Sequence, residues 1–195
     1  MATKESHRDE KSSASRWFSP DLVRDEEIVL RTIFDPHHVE SGTLSIAAVS
    51  LSDLRSRGWS VDRKKYTSLW KLKLNQLRWH HRKPDLHRCY VIPINVGTLR
   101  DYKTDNNQIF SIIDLAFCLN PAHAAILLSV KGGDGAARKA RDTLMAGLPA
   151  YIDVSKAFSN EDRWGWSRGM FLQVIAILRA LFLCFFYRAK LKLTS

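Results

Sequence analysis

The densest apolar run in the chain, MFLQVIAILRALFLCFFY at 170–187, constrains the fold most. So many bulky side chains must be covered, because burying a Leu, Ile or Phe is worth roughly 1.5–3 kcal/mol. As a helix its 18 residues would span about 27 Å, just short of a bilayer core of about 30 Å. On a helical wheel Gln173, Ala176, Ala180, Cys184 and Tyr187 share one narrow side, and large residues fill most of the remainder.

Three coverings compete. The helix can pack on a sheet while Arg179 snorkels to the surface; it can insert in a membrane, its small-residue side meeting another helix; or it can meet a second copy of the chain. Arg179 would cost about 2.5–3.5 kcal/mol at a bilayer centre, against about 0.3–0.6 gained by each Leu, Ile or Phe. Basic residues flank both ends (Arg163 and Arg168, then Arg188, Lys190 and Lys192), so the asymmetry that orients a membrane span is missing. The expectation is a buried C-terminal helix over 167–190.

Upstream, the text alternates between strand-like and helix-like stretches. EIVLRTIF at 27–34, GTLSIAAVSL at 42–51, CYVIPINVGTLR at 89–100, QIFSIIDLAF at 108–117 and AAILLSVK at 124–131 are apolar and bounded by turn formers. DYKTDNN suggests a hairpin turn. The segment from Ser60, taken as an N-cap, predicts a helix over 61–81 ending before Pro84, with Tyr66, Trp70, Leu74 and Leu77 as its apolar stripe. A further helix is expected from Asp134 to 146, stopped by Gly147 and Pro149. These elements predict one α+β domain over 20–195: a mixed sheet of four to six strands packed by about three helices, after a polar arm at 1–19.

Composition decides the class of partner. A net charge of +10 favours polyanions, while 45% apolar and 26% charged residues are ordinary for a folded chain. Three widely spaced cysteines with no apolar leader predict a reduced, cytoplasmic setting. Between 63 and 88, nine Lys and Arg face only Asp62 and Asp85. Interleaved aromatics and cations suit nucleic acid, bases stacking on rings while phosphates meet charge. The leading expectation is therefore a nucleic-acid-binding or accessory protein using Arg63, Lys64, Lys71, Arg78, Arg82, Lys83, Trp70 and Trp79. The bland alternative is a solvated helix face.

Two other functions carry sequence signals. Arg31 on the first strand, His37 and His38 after it, and Ser60, Arg63 and Tyr66 beyond the second could hold a nucleotide-like substrate, with Arg and His on its phosphates. Glu40, Asp62 and Asp114 are the candidate acids or bases. Arg31, His38 and Ser60 are the catalytic candidates of that reading. The rival is a membrane or homo-oligomer contact through 170–187. A zinc site from His87, Cys89, Cys118 and His123 would need the strands starting near 89 and ending near 117 to pair, and the spacing matches no finger or ribbon. KGGDGAARKAR at 131–141 has strand, Gly-turn, helix order, but neither G-x-G-x-x-G nor the Walker lysine pattern is complete. No cofactor is expected, and G-x-S-x-G and H-E-x-x-H are absent.

Overall fold

The computed structural model describes residues 22–82, 88–116, 120–129 and 133–157. The expected arm at 1–19 and the apolar helix at 167–190 lie outside these residues. Six strands form the main sheet: β1 (Ile28–Asp35), β4 (Trp59–Arg63), β5 (Arg88–Asn95), β8 (Phe110–Asp114), β9 (His123–Leu128) and β10 (Ile152–Asp153). Their order is β10-β5-β1-β4-β9-β8, and every pairing is antiparallel. With α1 (Leu69–Arg82), α2 (Val96–Arg100) and α3 (Asp134–Gly147), this is an α+β fold.

Alternation along the strands sorts the sheet into two faces. Val29 and Ile33 of β1, Trp59 and Val61 of β4, Ile92 and Ile94 of β5, and Ala124 and Ile126 of β9 share the larger core, joined by Leu144 and Ala140 of α3. Leu30 and Phe34 of β1 turn to the other face, with Cys89, Val91 and Leu72 of α1. Trp59 is fully buried, and its indole N–H donates to Ala48 O at 2.9 Å.

The structure departs from the expected elements at four places. Residues 42–51 are not a strand. Val39–Glu40 (β2) and Thr43–Leu44 (β3) form a tight hairpin, with Ser41 and Gly42 both at positive φ, and helical turns at Ile46–Ala48 and Asp53–Arg57 follow. The helix expected over 61–81 begins eight residues later. Trp59, Val61 and Arg63 alternate inward as β4, and Ser68 rather than Ser60 is the cap, its Oγ accepting from Lys71 N at 3.2 Å. Leu77, expected on the apolar stripe, is 62% exposed, whereas Leu72, outside that stripe, is buried.

The strand expected to reach 100 stops at Asn95. That side chain accepts from Thr98 N at 2.9 Å and starts α2. DYKTDNN does not join the strands at 89–100 and 108–117 as the expected hairpin, since β5 and β8 are not neighbours. The segment turns on itself as β6 (Lys103–Thr104) and β7 (Asn107–Gln108), through Asp105 and Asn106, both at positive φ.

Candidate functional site

The site begins with a defect in the ladder. β1 and β5 pair over eight residues, but β1 and β4 pair only at Val29↔Arg63 and Leu30↔Asp62, after which they part. Two side chains occupy the gap. Arg31 reaches across it, Nη1 donating to Ser60 O at 2.8 Å. His38 folds back onto the end of β1, its ring Nδ1 accepting from Phe34 N at 3.0 Å and its backbone N–H donating to Phe34 O at 2.6 Å.

Because N–H and C=O of alternate strand residues face alternate edges, those of Thr32 face the same open edge as those of Leu30 and Phe34. The result is a cleft of about 370 Å³. Arg31, Thr32, His37 and His38 line it from β1 and the turn beyond, Ser60 and Asp62 from β4, Asn75 from α1, and Asn120 from the segment before β9. Arg31, His38 and Ser60, grouped on the sequence as a substrate-binding set, thus line one concavity.

The two sides of the cleft differ in charge and hydrogen-bonding character. The Arg31 guanidinium lies 5.1 Å from the Trp59 ring centroid, and its Nε is buried without a partner among the described residues. Burial pushes its pKa down to about 10, although Asp53 and Asp62 oppose the shift. His38 is buried, and since Nδ1 accepts, the proton of its neutral ring sits on Nε2.

On β4, Asp62 takes Lys71 Nζ at 3.1 Å and Asn120 Nδ2 at 3.0 Å, both on Oδ1. Lys71 Nζ also donates to Asn120 Oδ1, closing a triangle. Burial drives the Lys71 pKa down, with Asp62 pulling the other way. His123, whose Nδ1 lies 3.4 Å from Ser60 Oγ, is likewise lowered by burial.

The basic segment is placed less uniformly than its composition suggests. Arg63 has no exposed surface: Nε and Nη2 donate to the Glu27 carboxylate at 2.9 and 2.7 Å, Nη1 to Asp114 at 3.0 Å, and the guanidinium stacks on Tyr66 at 4.7 Å. Lys65 joins Glu27 at 3.0 Å. Arg63 and Lys71 therefore hold internal carboxylates, because β4 alternation turns Arg63 to the core and Lys71 lies on the sheet side of α1.

Lys64 is half-buried, and Lys73, His81 and Arg82 are exposed. Lys83 and the side chains of Trp70, Arg78 and Trp79 lie outside the described residues.

The zinc arrangement loses its premise. β5 and β8 do not pair, and β1 and β4 stand between Cys89 on β5 and His123 on β9. At about 4.8 Å per strand those positions are about 14 Å apart. His87 and Cys118 lie outside the described residues, among which no group of three His, Cys, Asp or Glu is placed to hold a metal.

Sequence reasoning grouped Arg31, His38 and Ser60 and offered Asp62 as a candidate acid or base, but missed Lys71, Asn75 and Asn120 beside it. Arg63, Tyr66, Glu40 and Asp114, grouped with them on the sequence, do not line the cleft. Asp62 and Lys71 share a segment, yet only the strand assignment of 59–63 shows that they meet. Asn120 joins from a distant loop with no local signal. The chain matches no protein-family model, no curated protein and no solved structure.

Proposed function

We propose that the cleft between β1 and β4 binds a nucleotide-like ligand, with Arg31 and His37 meeting its phosphates and His38 placed to donate a proton from Nε2. The observation that carries this is the parting of two central strands around a half-buried arginine whose Nε has no partner among the described residues. A buried unpaired donor is uncommon in a finished core, and it draws a water or a ligand. The excess of positive charge favours the approach of an anion.

Isothermal titration with nucleoside 5′-monophosphates and inorganic phosphate tests the reading. Binding that weakens about tenfold or more in Arg31→Gln is expected, since a charge-assisted hydrogen bond is worth roughly 1.5–3 kcal/mol. His37→Ala, an exposed change that leaves the core intact, should weaken binding less. If nucleotides do not bind the wild type, or Arg31→Gln folds and binds them equally well, the reading fails.

A second reading keeps nucleic-acid contact. Lys73, Leu77 and His81 recur every four residues on the outer side of α1, with Arg82 beside them, all exposed. This row supports backbone contact that falls steeply with salt. Reversing Lys73 and Arg82 together, away from the buried ion pairs, should abolish binding to single-stranded RNA in a filter assay. Unchanged binding would exclude this surface.

No helix among the described residues is long and apolar enough to cross a membrane. The run at 170–187 lies outside them.

A further inference from the structure

The two sides of the cleft offer opposite hydrogen-bonding chemistry. Near β1 are donors: the Arg31 guanidinium, the Thr32 N–H at the unpaired strand edge, and the imidazoles of His37 and His38. Near β4 is an acceptor. Asp62 is largely buried, and both of its hydrogen bonds among the described residues land on Oδ1. Oδ2 therefore keeps its acceptor capacity beside the cleft.

Asn75 adds a side-chain amide to the lining, and the Asn120 amide is fixed by its bonds to Lys71 and Asp62. A carboxylate oxygen next to primary amides suits hydroxyl groups, which donate to the carboxylate and accept from the amides. It repels phosphate. Lys71 touches Asp62 and Asn120 and is absent from the cleft lining.

Resting on the nucleotide-binding reading, we infer that the cleft takes its ligand in one direction: phosphate toward Arg31, His37 and His38, and the ribose hydroxyls on Asp62 Oδ2 with Asn75 and Asn120. Lys71 is then a positioning residue that holds the acceptor carboxylate and the Asn120 amide in place. The substrate class is a ribonucleotide or another phosphorylated sugar with free hydroxyls.

The experiment compares ribonucleoside 5′-monophosphates with their 2′,3′-dideoxy counterparts, and ribose 5-phosphate with inorganic phosphate, by titration calorimetry on the full chain. The expected result is about 10- to 100-fold tighter binding of each hydroxyl-bearing member, the range supported by a hydrogen bond to a charged acceptor. Asn75→Ala, at a half-buried position whose side chain makes no hydrogen bond among the described residues, should narrow that ratio while leaving phosphate affinity unchanged.

Lys71→Met should narrow the ratio further, and a purely structural role would instead lower both affinities together. Ribo and dideoxy ligands that bind alike, with both still requiring Arg31, overturn the orientation while leaving the cleft reading intact. If no probe binds the wild type, both fall.

Discussion

Replacing Arg63 by Met is expected to destabilise the protein by about 3–5 kcal/mol, the usual loss when one partner of a buried ion pair is removed. This guanidinium donates to the carboxylates of Glu27 and Asp114 and, from Nη2, to Leu22 O at 3.3 Å. Its loss leaves the carboxyl groups of Glu27 and Asp114, both almost wholly buried, without that cation. Lys65 still pairs Glu27 but is partly exposed, and Ala116 N still donates to Asp114 Oδ1 at 2.8 Å, so part of the compensation survives.

At about 2–4 °C per kcal/mol for a domain of this size, the melting temperature should fall by about 6–20 °C. The pH dependence gives a second readout with a definite sign. Burial alone would raise the Glu27 pKa, but hydrogen bonds from Arg63, from the Arg24 N–H and from Lys65 outweigh it and hold the group below 4.5. Its contribution to stability is thus fully present above about 4.5 and lost as the pH falls through the lower folded value.

In Arg63→Met the burial effect is less opposed, so the folded pKa should rise and the deficit relative to wild type should shrink as the pH falls from 7 to 5. Urea unfolding at both pH values, with the slopes compared to confirm a common unfolded state, measures this. The triple variant Glu27→Gln, Arg63→Met, Asp114→Asn should recover much of the loss, because the two buried carboxylates that Arg63 balanced are then neutral. A deficit under about 1 kcal/mol, or one that grows on acidification, would refute the argument.

Two other positions make separate tests. Gly58 sits at φ +86°, where an added Cβ would lie 2.4 Å from Ala125 Cβ, so Gly58→Ala should cost about 2–4 kcal/mol in urea unfolding. Adding Ala125→Gly should return only the steric part, and a full return would show that the backbone angle costs nothing. Burial raises the Cys89 thiol to about 12, so peptide mapping should find it unmodified by iodoacetamide in the native protein and labelled in urea. Native labelling at the rate of a free thiol would contradict its buried placement.

The sheet was legible where side chains alternate against a single core. Ile28–Asp35 and His123–Leu128 carry their strand character in β-branched or apolar text. β4 was not, because WSVDRKKY presents an arginine at a core position, and a buried Arg63 makes sense only once Glu27 and Asp114 are known to converge on it. The same misplacement hid half of the cleft, since a helix starting at 61 turns Asp62 away from Ser60's neighbours. Asn95 closed a strand early through a side-chain cap, a local signal present in N-V-G-T and outweighed by the apolar residues around it. His38 and Ser60 lie near element ends, where the sequence reading placed them, whereas Arg31 sits in the middle of β1 and Asn120 depends on a tertiary contact that no spacing encodes.

The short β1–β4 register gives the sheet an unusual mechanical plan. Within the sheet β1 pairs with β5 over eight residues, β4 with β9 over four and β9 with β8 over five. The central seam between β1 and β4 is only two residue pairs long, as short as the edge pairing of β10 with β5, and is braced by Arg31 at one end and Arg63 at the other. The molecule is in this sense a pair of leaves on a short spine, each brace a single arginine. A molecule lodged between the leaves would rest on both, so its grip and the angle of the spine would be set together.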